Sequence, residues 1–306
     1  DRDCVSPEPY RNWHYYNQKC SLSQAFDIII NDLKEPRELP DPKIVLNKME
    51  LLSGFNAVEE VKAGTGKDKI LVVQPFGRSV EQVGKDFIAD PSSRSFPLNA
   101  IVQIINQLKK DYGVIIMSEI QFPLEENEEK AKHKVARPQI SDMRLWSSII
   151  NAADHFLGCD SMGQHIAKAF DKTATVVTGS TYPINITYPD SKDFDIIDVG
   201  QDKRKYSPIR ISMDDEIDRY NDEAMEMTDS QIKEVIDSVK KRMGKSVAYT
   251  GTMVLNSNEQ TTCCPPSTSS SNQNQSITPK LIPSSDKKGF GGSNSIEKEI
   301  KKLLNN

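Results

Sequence analysis

The stretch WSSIINAADHFLGCDSMGQHIAKAFDKTATVVTGSTYP, residues 146–183, decides the fold. Its apolar run from His155 to Cys159 has the length of a buried strand, and it stops at Asp160. A helix is predicted to begin near Ser161, and the β-branched run from Thr173 to Thr178 predicts the next strand. Strand, turn, helix and strand form a βαβ unit with parallel strands and a right-handed crossover. The turn therefore lies at the carboxyl edge of the sheet, where a helix N-terminus offers N–H groups to an anion.

The same alternation of strands and helices extends on both sides of this stretch. Strands are predicted at 70–73 and 114–117, with another at 195–199, and amphipathic helices at 98–109, 143–152 and 229–242. Such alternation is typical of an α/β fold with a doubly wound parallel sheet.

The chain divides into three parts. Before a polar hinge at 62–69, a helix is predicted at 21–33, a short strand at 44–46 and a second helix at 48–61. From Ser246 onward the residues are mainly Ser, Asn, Gln, Thr and Pro, which predicts a disordered tail with a short helix at 296–304. The predicted parts are residues 1–66 (the end of an N-terminal domain), 67–245 (a Rossmann-like domain) and 246–306 (the tail).

Composition excludes several classes of protein. The 306 residues carry a net charge of −5 with both signs interspersed, and no basic tract contains interleaved aromatic residues, so nucleic acid is not expected as a partner. No run of 18 apolar residues predicts a membrane span. The five cysteines have no framework spacing, and Cys159 falls inside a predicted strand, which favours a reducing, cytoplasmic setting.

Three other patterns have ordinary interpretations. Gly64-Thr65-Gly66-Lys67 is not a phosphate-binding loop, because Asp68 follows the lysine and the strand comes afterwards instead of before. Asp193-Phe194-Asp195 has the letters of a metal-binding motif, but it precedes a strand inside a charged loop. The charged run at 125–134 predicts a solvated helix, and His14, His133 and His155 are predicted to be structural.

Four segments together resemble glycosyltransferase family 9, the heptosyltransferase-like enzymes of GT-B fold. Residues 158–169 resemble the G-x-D-[ST]-G-x-x-H-x-A-A-A element, residues 178–183 the F-G-x-T-x-P element, residues 74–77 the H-P-G-A turn and residues 94–97 the K-x-W-P element. They follow in the family's order over about residues 67–245. The chain departs from the pattern where Met162 displaces a glycine, and Tyr220–Met227 takes the place of a closing cysteine-rich segment.

The resemblance implies a GT-B-type transferase. It would move a sugar, with an ADP-linked heptose as the suggested donor, to a glycan or lipopolysaccharide-type acceptor, with inversion and without metal or cofactor. In that family a carboxylate of the N-terminal domain activates the acceptor, and residues 1–66 hold only the end of such a domain, so the catalytic residue stays unnamed. The alternative is a nucleotide- or glycan-binding module without turnover.

Eight residues are predicted to bind the donor. The helix beginning near Ser161 would donate N–H groups to the pyrophosphate, and Gly163 would allow close approach. Arg94 would add a bidentate contact and His165 a hydrogen bond, whereas Asp160 would cap amides or bind a sugar hydroxyl. The full predicted set is Gly77, Arg94, Glu119, Asp160, Ser161, Gly163, His165 and Thr181. The simpler interpretation is that Asp160 and Ser161 only cap the helix, that His165 is structural and that Arg94 is a surface residue.

Overall fold

Seven strands are found in the computed structural model, which describes residues 7–83, 87–90, 92–125, 127, 130–205 and 223–251. Within those residues the strands are β1 (Ile70–Gln74), β2 (Glu81–Val83), β3 (Phe87–Ala89), β4 (Gly113–Ile116), β5 (His155–Cys159), β6 (Ala174–Thr178) and β7 (Phe194–Asp198). The helices are α1 (Trp13–Tyr16), α2 (Leu22–Ile30), α3 (Lys48–Thr65), α4 (Leu98–Leu108), α5 (Met143–Ala152), α6 (Met162–Ala169), α7 (Pro183–Ile186) and α8 (Asp229–Met243).

Five of the strands form one parallel sheet in the order β4-β1-β5-β6-β7, and β2 pairs with β3 as a separate antiparallel ribbon. From β1 the chain winds first to β4 on one side and then to β5 on the other. The direction of winding therefore reverses between β1 and β5, which is the topological switch point where α/β sheets bind ligands.

Each face of the sheet is covered by helices. Alternate side chains of β1 point to opposite faces: Leu71 and Val73 pack in a cluster with α4 and α8, whereas Ile70 and Val72 pack with α3, α5 and α6. Both layers are built from apolar helix faces that the sequence predicts. The doubly wound α/β fold is confirmed.

The long helices begin and end at residues whose chemistry explains the boundaries. Asn47 and Glu50 form a capping box at the start of α3, and Gly66 ends that helix with a positive φ of 70°. Thr228 forms a capping box with Gln231 at the start of α8. The predicted polar hinge at 62–69 is therefore helical as far as Thr65, and Gly64–Lys67 is the end of a helix and forms no phosphate loop.

Two local predictions are wrong, and one short ribbon was not predicted. The segment 44–46 forms no strand; Val45 is 84% exposed, and its carbonyl accepts a hydrogen bond from the Arg144 side chain. The ribbon of β2 and β3 follows Gly77, and its strands of three residues each are too short to show a periodic pattern. In the charged run, residues 131–134 are irregular, while 126, 128 and 129 lie outside the described part.

The ends of the described chain also contact the sheet domain. Tyr15 and Cys20 belong to a small N-terminal core, and Asn185 on α7 donates to both of their carbonyls at 3.1 and 2.8 Å. Val247 donates to Asp68 at 2.8 Å, so the first residues of the predicted tail pack against the chain. The rest of the tail and its predicted helix at 296–304 lie outside the described residues, and the domain boundaries stay predictions. No helix within the described ranges is long and apolar enough to cross a membrane.

One histidine is buried in the sheet. His155 shares hydrogen bonds with the hydroxyls of Thr173 and Thr175, at 2.8 and 3.0 Å. Burial, and then the charge of Arg242, lower the pKa of His155 to about 3. The ring is therefore neutral at physiological pH, and the prediction of a structural role agrees with this position.

Candidate functional site

Gln74 is the residue that joins the two sides of the switch point. It ends β1, is 7% exposed, and donates through Nε2 to the Ser161 hydroxyl at 3.0 Å. Its Oε1 accepts the N–H of Gly163 at 2.8 Å. The carboxamide thus clamps the first turn of α6 to the neighbouring strand, and it uses one of the free amides of that turn.

The N-cap residue of α6 gives no side-chain cap of its own, and the Gly163 N–H is bound instead by Gln74 Oε1. Ser161 occupies the N-cap position but makes no capping hydrogen bond, because its hydroxyl accepts from Gln74 instead, and the first turn holds no acidic residue. The cap-only interpretation of Ser161 is therefore wrong for its side chain. The positive end of the helix dipole faces the sheet edge without a neutralising carboxylate in that turn.

Gly163 has a packing reason that the sequence does not reveal. A β-carbon there would lie 2.4 Å from the ring of Phe156 and 2.6 Å from Oε1 of Gln74. Glycine is thus required for the contact of α6 with β5. The predicted role of Gly163 in approach to a phosphate is not needed to explain it.

Asp160 and Thr181 are brought together, as their positions after adjacent strands predict. Asp160 is 3% exposed, and its Oδ2 accepts the Thr181 hydroxyl at 2.7 Å. Its Oδ1 accepts from Gln164 Nε2 at 3.3 Å. The buried carboxylate links the turn after β5 to the turn after β6, so it fixes the shape of the sheet edge.

The polar loop of residues 90 and 92–95 lies at the same edge of the sheet, bonded to Gly77 and Ser180. Asp90 accepts the backbone N–H groups of Ser92 and Ser95, both at 2.8 Å, and both of their hydroxyls. Burial raises the pKa of Asp90, but these hydrogen bonds outweigh it and leave the pKa below its usual value. The Ser95 hydroxyl also accepts the N–H of Gly77 at 2.9 Å, so the loop and the turn after β1 form one unit.

Arg94 extends from this loop toward the same sheet edge. Its Nε donates to the Ser92 hydroxyl at 3.0 Å, and its terminal nitrogens have no acceptor among the residues that the structure describes. Burial raises the pKa of Cys159 at the end of β5; the nearby carboxylates of Asp160 and Asp90 raise it further, and the Arg94 guanidinium lowers it. These charges therefore converge around the end of β5, and Arg94 has donors left for a ligand.

An ion pair that sequence reasoning missed braces the turn after β6. Arg204 binds both oxygens of Asp198 at 2.8 and 2.6 Å, and it donates to the carbonyls of Gly179 and Thr181. Its guanidinium lies 4.2 Å from the ring centre of Tyr182. Asp198 could have been singled out from the sequence, because it lies at the end of a predicted strand. Arg204 could not, because it lies in a charged run of the kind that is typical of a solvated surface.

Two predicted residues do not join this group. The His165 ring bonds through Nδ1 to the Tyr188 hydroxyl at 2.8 Å, and burial lowers its pKa. Glu119 is exposed beyond β4 and has no hydrogen bond to another described residue. In the rival metal motif, Asp195 on β7 pairs with Arg242 and accepts from Ser238, so its oxygens are already engaged.

No family model matches this sequence, and no curated protein matches it significantly. Solved structures do match. The Escherichia coli ADP-heptose LPS heptosyltransferase II is 13% identical over 72% of this chain and 63% of its own, with a TM-score of 0.43. A family 9 glycosyltransferase from Veillonella parvula is 10% identical over 58% and 49%, with a TM-score of 0.42. Escherichia coli heptosyltransferase WaaC with ADP-2-deoxy-2-fluoro heptose is 15% identical over 58% and 49%, with a TM-score of 0.31.

The chain spans between about half and just under two thirds of the length of these three structures. They are heptosyltransferases and a family 9 glycosyltransferase, the group that the four sequence segments resemble.

Proposed function

We propose that this protein is a glycosyltransferase that uses a nucleotide-diphosphate sugar, with an ADP-linked heptose as the first donor to test. The acceptor would be a glycan or a lipid-linked glycan of lipopolysaccharide type, and the transfer would invert the anomeric centre without a metal ion. The motif resemblance motivates this proposal. The observation that carries it is a pair of positive groups at the carboxyl edge of the sheet, beside the switch point: Arg94, whose terminal nitrogens have no acceptor among the described residues, and the first turn of α6, which holds no acidic residue.

The chemistry of the donor fits these two groups. The diphosphate carries about two negative charges and gains more as the glycosidic bond breaks, so a transferase needs fixed positive charge at that position. The helix N-terminus supplies amide N–H groups and a partial positive charge of about one half, and Arg94 supplies a full charge with donors arranged in a plane. In this proposal Gln74, Asp160 and Thr181 position the two turns, and the sugar lies beyond them.

Nucleotide binding is the first test. Titration of the full chain with ADP, GDP, UDP and their sugars should raise the melting temperature with at least one of them. A ligand at 100 times its dissociation constant would add about 2.7 kcal/mol to the free energy of unfolding. Arg94→Ala should weaken binding by about tenfold or more, and Arg94→Lys should recover only part, because lysine lacks the bidentate geometry. Arg11→Ala, which removes an exposed arginine paired with Glu8, is the matched control.

Transfer is the second test. Release of ADP from ADP-heptose in the presence of a truncated lipopolysaccharide acceptor should follow nucleotide binding and be lost in Arg94→Ala. Binding without any transfer would identify a donor-binding module. Stabilisation by none of the nucleotides would contradict both functions.

A further inference from the structure

A cavity with a volume of about 260 Å³ lies at the amino edge of the sheet, away from the candidate functional site. The ends of α3 and α4 meet there, just before the chain enters β1 and β4. Its wall is formed by the end of α3 and by Lys67, Lys109, Lys132, His133 and Lys134. The five-residue length of β1 separates this edge from the switch point by roughly 16 Å.

Most of the lysines in the cavity wall have no described counter-charge. Lys109 is buried and pairs with Glu125. Lys67 donates to the carbonyl of Lys110 at 2.7 Å, and Lys132 and Lys134 have no carboxylate partner within the described part of the chain. Three ammonium groups thus share one concave surface without a carboxylate that the structure shows.

The helix ends nearby do not balance this charge. The C-termini of α3 and α4 each carry about half a negative charge, roughly one charge in total, against three lysines. The same lysines act on His133: burial lowers its pKa first, and the charges of Lys67, Lys132, Lys109 and Lys110 lower it further. The lysines therefore create a positive potential at His133, a side chain that contributes little charge of its own.

We propose that this cavity binds a compact ligand that carries several phosphate groups. Phosphate oxygens offer many acceptors to ammonium donors, and several phosphates match the number of lysines without partners. The wall holds no aromatic side chain on which a nucleobase would stack, and the net charge of −5 disfavours a long nucleic acid. In the segment Gly64–Lys67 the lysine side chain would bind the ligand. The backbone of this segment is the end of a helix and forms no phosphate loop.

The experiment uses inorganic tripolyphosphate as the probe and the imidazole resonances of the 306-residue chain as the readout. His133 is assigned with His133→Gln, since the chain has only four histidines. Tripolyphosphate should shift the His133 signals saturably and raise its pKa. The Lys132→Ala/Lys134→Ala double variant, which changes two exposed residues, should weaken binding by about tenfold or more. Lys233→Ala, an exposed lysine on α8 paired with Asp237, should bind as the unchanged protein does.

Three outcomes would overturn the proposal. The His133 signals would show no saturable shift at millimolar tripolyphosphate; the double variant would bind as tightly as the unchanged protein; or duplex DNA would bind saturably where tripolyphosphate does not. The site is independent of the proposed transferase function, so Arg94→Ala should leave the His133 shift intact. Its loss in that variant would place the ion at the other edge of the sheet and would also contradict the proposal.

Discussion

At the scale of single residues, the pair of Asp160 and Thr181 determines the geometry of the candidate site. A carboxylate that is 3% exposed needs hydrogen-bond donors to replace water, and the Thr181 hydroxyl provides one at 2.7 Å. Arg204 holds the same turn from the other side through its bonds to the carbonyls of Gly179 and Thr181. The turn is therefore fixed by charge-assisted bonds, which are stronger than bonds between neutral groups.

Replacement of Thr181 by valine tests this pair. Thr181→Val keeps the shape of the side chain but removes the donor, so a buried carboxylate oxygen loses a partner. The free energy of unfolding should fall by about 1–3 kcal/mol, measured by urea denaturation, and nucleotide-dependent stabilisation should weaken.

Thr187→Val is the matched control, because Thr187 is also buried but donates to the Pro183 carbonyl, which keeps the Thr187 backbone N–H as a partner. Thr187→Val should lower the free energy of unfolding by about 1 kcal/mol or less, the lower end of the range expected for Thr181→Val. Equal losses in the two variants would show that the carboxylate has no special dependence on Thr181.

At the scale of elements, α6 is held against β5 by a contact that admits only glycine. Gly163→Ala would bring a β-carbon within 2.6 Å of both the Phe156 ring and the Gln74 carboxamide. The helix would have to shift and the Gln74 clamp would weaken, at a cost of about 1–3 kcal/mol in the free energy of unfolding.

Gly64→Ala is the control for Gly163→Ala, and the free energies of unfolding of the two variants are compared in the same experiment. Gly64 lies near the end of α3, and no atom lies within 4 Å of the position its β-carbon would take. This variant should be neutral or gain about 0.4–1 kcal/mol, because alanine restricts the unfolded chain. A Gly163→Ala protein as stable as Gly64→Ala would disprove the tight packing of α6.

Elements with strong periodicity were predictable from the sequence, and so was the proximity of Asp160 to Thr181. The strands at 70–74 and 155–159 and the helices α4 and α5 follow from their apolar patterns, and Asp160 and Thr181 from the edge at which parallel strands end. The Gln74 clamp was not predictable, because it joins residues 87 and 89 positions apart, and one sequence does not show which strands become neighbours. Arg204 was missed because a charged run gives no sign that one member is buried.

At the scale of the whole molecule, His155 couples the stability of the fold to acid. The pKa of His155 in the folded protein, about 3, lies below the ordinary value of about 6.5. The stability that the neutral ring contributes to the fold is therefore fully present above pH 6.5. That contribution is lost as the pH falls toward 3, at up to roughly 1.4 kcal/mol per pH unit. The free energy of unfolding, measured between those limits, should fall less steeply in His155→Gln, and an unchanged slope would contradict this account.

The buried imidazole between Thr173 and Thr175 also has a spectroscopic consequence. A ring that stays neutral well below physiological pH gives proton resonances that do not move through the range of about pH 5 to 8, where exposed histidines titrate. The molecule therefore carries its own chemical-shift standard, against which ligand-induced changes in its other histidines can be read without an added reference compound.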